Sequence, residues 1–491
     1  MRVLRQIVFL AVVATVATLS LPTQARAQFG GGGGGGGGGQ GGGGGQGGGG
    51  GQGGGGQGGG GQISQNAGVE VDATGVLRLK TVRGISKKAL KRRMAAMRAK
   101  LNPTVAKKSK MRKISLNRLE AAFREKLKKG HPIPNDMRYL VGMTRIQHVF
   151  YYPDTKDIVI AGPAEGYGPD ARGKVVGLKS GQAVLYLEDL IVAMRMFPPG
   201  GRPMGMIGCS IDPTKQGLLR MRQYIARWSG RIRPSDDRRY AAGMRNALGL
   251  QTVSVQGVSP RTHYAQVLVE ADYRMKLIGI GLEKPTIRLR SYVSRARPSS
   301  IARNAMQRWF FVPNYECVRV SQDGNSMELV GMGVKLIGED EKVAANGGRV
   351  RSAVKNYASD SFVKAFTKRY PDLARRSPVF GQLKNLIDLT IAAAFMQQQD
   401  YYTQSGFKMG IWADTKQCRV ENYRVPKQVP SAVNVVWKGS TLVTPIGGGV
   451  SLHPRRALKR GSLLKDDSGK LEKVRETVGI KSLAKGRWWW D

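Results

Sequence analysis

Apolar positions along the chain change their period several times, and each change marks an element. After Ser86, Leu90, Met94, Met97 and Leu101 recur at 4-3-4 spacing until Pro103, which predicts a helix. A second helix follows Ser115, with Leu116, Leu119, Phe123 and Leu127 on one stripe and Gly130 at its end. Between them lies a loop rich in Lys107, Lys108, Lys110, Arg112 and Lys113. The second stripe is expected to dock on a globular body, because packing an apolar face supplies most helix stability. The first helix is equally well read as docked or free.

From His131 the texture becomes that of a folded domain. Arg145–Tyr152 alternates, with Ile146, His148, Phe150 and Tyr152 on one face, and Pro153-Asp154-Thr155-Lys156 turns the chain into Asp157–Ala161 as a hairpin. Gln182–Leu187 reads as a strand and Glu188–Met196 as a helix. Two strand–helix units follow. Met206–Ile211 precedes Asp212-Pro213 and a helix through Arg227; Thr252–Val258 precedes Ser259-Pro260 and a helix through Lys276. A helix to Arg308 is expected next, then a hairpin of Phe310–Val320 and Met327–Ile337 around Asp323-Gly324-Asn325. Helices over Val350–Tyr370 and Pro378–Gln398 precede strands at Phe407–Trp412, Gln417–Tyr423 and Ala432–Leu442, and Gly447-Gly448-Gly449 closes the body. The fold class is therefore an α+β globular core of mixed strands and helices, preceded by a disordered Gly-rich tract and basic amphipathic helices.

The organisation reads as a signal peptide at 1–27, a Gly/Gln-rich linker at 28–62, a basic helical arm at 63–130, the α+β domain at 131–450 and a basic tail at 451–491. Arg2 and Arg5, the apolar run Ile7–Leu21 and Ala25-Arg26-Ala27 make a secretory signal cleaved between Ala27 and Gln28; an uncleaved anchor is the alternative. Gly30–Gly61 is interrupted only by Gln40, Gln46, Gln52 and Gln57, so it buries nothing and is expected to stay disordered. Export places the protein outside the cytoplasm, where disulfides persist. Cys209, Cys317 and Cys418 permit one bridge; Cys317 with Cys418 is preferred because both sit in strand-like stretches, and three buried thiols are the alternative.

Charge sharpens this picture. Lys and Arg number 79 against 34 Asp and Glu, a formal charge of +45, which excludes an acidic halophile-type surface and predicts attraction to polyanions. The densest cations are Lys87, Lys88, Lys91, Arg92, Arg93, Lys107, Lys108, Lys110, Arg112 and Lys113, proposed anion-binding residues. For an exported protein the expected partner is an anionic envelope polymer or lipid headgroups rather than nucleic acid, and the arm's few aromatics argue against single-strand stacking. Trp488, Trp489 and Trp490 suit a peripheral membrane contact or a partner's groove, or else a docked terminus.

Four stretches taken together, Met137–Tyr167, Thr262–Glu283, Gln307–Glu316 and Val379–Phe395, carry a resemblance to a family of exported bacterial proteins of uncharacterised function found mainly in planctomycetes. The likeness runs from about Ser115 to Phe407. It implies an exported location and one shared fold, and it brings no activity and no catalytic residues.

Chemistry is sparse. Cys209 with His263 is the candidate nucleophile–base pair, although Ile207, Gly208 and Ile211 around Cys209 read as a buried strand. Among the acids Glu165, Glu188, Asp189, Glu270 and Asp272, adjacent Glu188 and Asp189 point apart on a helix, and Glu165 lies in the glycine-rich loop Gly162–Gly168. There is no G-x-x-x-x-G-K-[ST], H-E-x-x-H, G-x-S-x-G or paired C-x-x-C. Four His and three Cys leave no metal site or cofactor expected. The reading is an exported, non-enzymatic binding or scaffold protein held electrostatically by its basic arm. The alternative is an extracytoplasmic enzyme of unrecognised type, a hydrolase being the expected class, using the face near Cys209, Glu165 and His263.

Overall fold

The computed structural model describes residues 65–491 apart from 83–85, 229–231, 298–304, 345, 347–348, 353–354, 438–440, 444–445, 467–468, 481–482 and 485. The expected signal segment with its Ala27–Gln28 junction, and the glycine tract, lie outside the described residues.

Two seven-stranded sheets carry the α+β core. In the first the order is Arg349–Arg351, Val334–Val343, Ala305–Pro313, Ile446–Leu452, Ile207–Asp212, Leu250–Gln256 and Gln428–Pro430. Its neighbours are antiparallel except Ala305–Pro313 with Ile446–Leu452. The second sheet runs Leu463–Leu464, Val318–Val320, Ser326–Leu329, His148–Tyr152, Asp157–Ala164, Ser109–Ser115 and Trp489–Trp490.

The helix His263–Gly279 lies on the central strands of the first sheet, and Pro378–Gln398 packs on it and on Leu187–Met196. Pro378 opens its helix, where its missing N–H costs nothing. Leu383, Leu386, Ile387, Leu389 and Ile391 make the helix apolar on all sides, so it must be buried all round. Among the described residues it is the one helix long and apolar enough to cross a membrane, and that stretch lies wholly inside the protein.

The hairpin His148–Tyr152/Asp157–Ala164 and the helix Leu116–Lys128, which buries Leu116, Leu119 and Phe123, form as expected. Other expectations are corrected. Residues 109–113 are no loop, because Ser109–Ser115 is a strand paired with Asp157–Ala164, and only Lys107 and Lys108 remain irregular. The basic arm is therefore woven into the core. Helix starts at Asp212 and Ser259 shift to Thr214 and Thr262, whose hydroxyls accept from Gly217 and Ala265 N–H. The helix expected up to Arg308 gives way over Ala305–Arg308 to the strand Ala305–Pro313, and the anticipated Phe310–Ile337 hairpin divides between the two sheets. Phe407–Trp412 and Gln417–Tyr423 form no strand; a short 3-10 turn, Gly410–Trp412, is held by Glu120 accepting from Ile411 N–H at 2.9 Å.

The sharpest correction concerns Gly447-Gly448-Gly449, which lies within a central strand instead of ending the body. A Cβ on Gly448 would stand 2.0 Å from the Trp309 carbonyl oxygen, and one on Gly449 1.9 Å from that of Cys209. Only glycine admits neighbouring backbones this close.

Candidate functional site

Helix starts bring the principal polar cluster together. Thr262 caps the helix that begins at His263, and Glu188 and Asp189 occupy the first turn of Leu187–Met196. His263 Nδ1 lies 2.8 Å and 3.1 Å from the two Asp189 carboxylate oxygens. Tyr186 stacks on the imidazole at 4.6 Å between ring centroids. The Tyr423 hydroxyl donates to Glu188 at 3.0 Å, and its ring lies 5.7 Å from His263. Adjacent residues that point apart on a helix thus serve two partners, Asp189 for His263 and Glu188 for Tyr423.

Burial drives the His263 pKa down, but the Asp189 carboxylate outweighs it and the net shift is upward. Burial raises Glu188, opposed by the nearby His263. Behind them, Lys174 donates to Glu270 at 3.0 Å, and Arg274 pairs with Glu283 at 2.6 Å. These pairs, with Lys276 on Asp272 at 2.8 Å, compensate the buried charges in the second half of the helix His263–Gly279.

The cluster forms one wall of a cleft of about 670 Å³, with Arg138, Tyr186, Glu188, His263, Arg419 and Tyr423 among its lining. At Tyr139, Gly173 and Val175 the cleft adjoins a second cavity of about 510 Å³ that reaches Met97 and Lys100 on the first basic helix. That helix, Lys87–Lys100, exposes Lys88, Lys91, Arg92 and Arg93; the Lys87 side chain lies outside the described residues. Met97 seats it on the body at Gly168, where a Cβ would come within 2.6 Å of the methionine sulfur. Lys107, Lys108 and Lys110 are exposed as well.

Arg112 is the exception among the expected anion-binding residues. Its guanidinium is fully buried and donates to the carbonyls of Thr104, Val105, Lys107 and Val141 and to Asp491. It is a structural cation. Lys113 is half-buried beside Asp491, and its pKa is lowered by burial. The tryptophans dock: Trp489–Trp490 pairs with Ser109–Ser115, Trp488 is buried, and the Trp490 indole donates to the Val478 carbonyl at 3.1 Å.

Cys209 and His263 are not brought together. Cys209 lies beside Asp272 and Lys276, nine and thirteen residues further along the His263 helix, about 14–20 Å at 1.5 Å per residue. Burial lifts its thiol well above the usual range. Glu165 is buried as a clamp, accepting from Ser180 N–H at 3.0 Å and from its hydroxyl, and filling the space beside Gly177. The expected Cys317–Cys418 bridge is absent; all three cysteines are free and buried. Cys317 faces Asp388 and Lys384, whereas Cys418 lies near Arg195.

Sequence reasoning missed the Asp189–His263 pair, whose members are 74 residues apart. It also missed an ion cluster of Arg145, Lys384 and Asp388, although two charges four residues apart in an otherwise apolar helix were a usable signal.

A domain of unknown function, the family described as Protein of unknown function (DUF1598), is present at residues 209–292. It spans Cys209, the strand Leu250–Gln256 and the whole helix that begins with His263. No curated protein matches the chain, and no solved structure does.

Proposed function

We propose that this protein is an exported, non-enzymatic binding protein that holds an anionic envelope polymer, an acidic polysaccharide being the best match. The supporting observation is a pair of adjoining cavities that share Tyr139, Gly173 and Val175 as wall, one reaching Met97 and Lys100 on the cationic helix Lys87–Lys100 and the other lined by Tyr186, His263 and Tyr423. Lys80 and Arg419 line the larger cavity and make no ion pair among the described residues, which leaves their charge for a ligand, while Arg138 in the same wall acts on Glu188. Tyrosine rings beside cations suit sugar faces that carry carboxylates.

The test is isothermal titration of the protein with polygalacturonate across a salt series. A footprint of about four ionic contacts loses roughly a hundredfold in affinity over a fourfold rise in salt. Binding that ignores salt, or none at low salt, overturns the reading.

One observation favours a second reading, an extracytoplasmic hydrolase: His263 lines the cleft, and the buried Asp189 carboxylate behind it orients its imidazole. The thiol that lines the same cleft, Cys418, is pushed up to about 11 by burial, so it does not act as a thiolate nucleophile near neutral pH. A hydrolase here would use His263 on a bound water.

A further inference from the structure

A cavity of about 320 Å³ lies apart from the groove, with Thr144, Arg145, Gln182, Arg375, Lys384 and Asn385 in its wall. Its chemistry follows from one acid shared by two cations. Asp388 Oδ2 stands 3.4 Å from Arg145 Nε and accepts a hydrogen bond from Lys384 Nζ. Lys384 and Asp388 are four apart on the helix Pro378–Gln398, which puts them on one face, and both are buried. Arg145 is anchored by donating to the Leu329 carbonyl at 2.6 Å, while its buried Nε makes no hydrogen bond.

A single carboxylate does not balance the buried Lys384 ammonium together with the partly buried Arg145 guanidinium. The guanidinium keeps its proton, so the lysine yields. Burial, reinforced by Arg145 and opposed by Asp388, pushes the Lys384 pKa down to about 8. A depressed pKa makes the free amine accessible closer to neutral pH than for a solvated lysine. Cys317 faces the same cluster, but burial pushes its thiol up to about 12, so it stays protonated and does not compete as a nucleophile.

We propose that this cavity is a covalent-binding site for a small 2-oxo acid, which Lys384 captures as an imine while Arg145 faces its carboxylate. The volume is of the size that small-molecule sites have. The lysine nitrogen adds to the carbonyl carbon, the C–O double bond opens, and a C=N bond forms. Two protons of the ammonium leave with the carbonyl oxygen as water, the third stays on the iminium nitrogen, and charge is conserved. Asp388, which accepts a hydrogen bond from Lys384 Nζ, is placed to take the first proton from nitrogen, and that proton leaves with the oxygen in the water released.

The experiment is reductive trapping on the full chain. Protein is incubated with glyoxylate and cyanoborohydride, and peptides are mapped by mass spectrometry for carboxymethyl-lysine. Lys384 is expected to be modified before the exposed lysines Lys88, Lys91 and Lys107. Its preference over them should be about tenfold greater with glyoxylate than with acetaldehyde, the worth of one charge-assisted contact to Arg145. Unprotected surface lysines labelled while Lys384 stays unmodified overturn the proposal, and an equal preference for acetaldehyde overturns the assignment to an oxo acid. Both readouts come from the unaltered protein, so neither depends on a variant that folds. An Arg145→Gln protein that retains its thermal transition should lose the glyoxylate preference and keep reactivity toward acetaldehyde.

Discussion

Arg112 and Asp491, 379 residues apart in the chain, meet in a bidentate pair: Nε lies 2.8 Å from Oδ1 and Nη2 3.0 Å from Oδ2. Trp489 packs over the same guanidinium, 4.9 Å from ring centroid to Cζ. One buried cation therefore ties the last residues to the strand Ser109–Ser115 and to the carbonyl of Val141, where Leu140, Val141 and Gly142 in succession adopt positive φ. Positive φ at β-branched Val141 is strained backbone, and the hydrogen bond from Arg112, 2.7 Å long, helps hold it.

Removing the cation should therefore cost more than removing the acid. Arg112→Met is expected to destabilise the protein by about 3–5 kcal/mol, since it orphans four carbonyl acceptors and one carboxylate. Asp491→Asn keeps a polar partner and should cost about 1 kcal/mol, because the carboxylate is partly solvated. Urea unfolding of the two variants checks the order. Burial pushes the Asp491 pKa up, but the Arg112 hydrogen bonds outweigh it and the net shift is downward. A depressed folded pKa means that the pair's contribution is complete above about pH 4 and fades as pH falls through the folded value.

His263 has the opposite sign. Its folded pKa is raised, so the Asp189–His263 pair stabilises fully below about pH 6.5 and the gain is lost as pH rises through the folded pKa. Glu188 and Lys174 act on the same imidazole, the first raising and the second lowering its pKa. Asp189→Asn should return the His263 titration toward or below the free value, since burial then acts with one fewer opposing charge. Histidine proton shifts followed by NMR between pH 4 and 9, an interval of about five units around the free value, read this directly.

Gly448→Ala is expected to be severely destabilising, by about 3 kcal/mol or more. The added methyl would meet the Trp309 backbone, and φ at this position is +120°. Gly461→Ala, with nothing within 4 Å, is the control and should shift the transition by less than about 0.5 kcal/mol. Thermal unfolding of the pair decides whether close approach, rather than glycine content in general, sets the requirement.

Charge reversal of the exposed face separates binding from folding. Lys88, Lys91, Arg92 and Arg93 changed together to Glu should abolish polygalacturonate binding at low salt while leaving the unfolding midpoint nearly unchanged, because these side chains stand in solvent. Unaltered binding would move the site away from the helix Lys87–Lys100. The same titration with Arg138→Ala tests the inner part of the groove.

Local periodicity determined a good part of this protein. The helix Pro378–Gln398 matches its sequence boundaries, the His148–Ala164 hairpin turns where Pro153–Lys156 demands, and Leu116, Leu119 and Phe123 bury the stripe their spacing defines. In each case the signal lies within one or two turns of chain, where propensity, pattern and turn chemistry agree. Tertiary structure alone decided the rest. A lysine-rich run became a sheet strand because Asp157–Ala164 and Trp489–Trp490 pair on either side of it. Arg112 became a core residue because Asp491 and four carbonyls converge on it, and a glycine triplet became a central strand because Trp309 and Cys209 leave no room for a Cβ. His263 found Asp189 rather than Cys209 because helix length, absent from the pattern of either residue's neighbours, separates the thiol from the imidazole. Strand pairing and buried charge are contacts between distant parts of the chain, and no local window of sequence contains both partners.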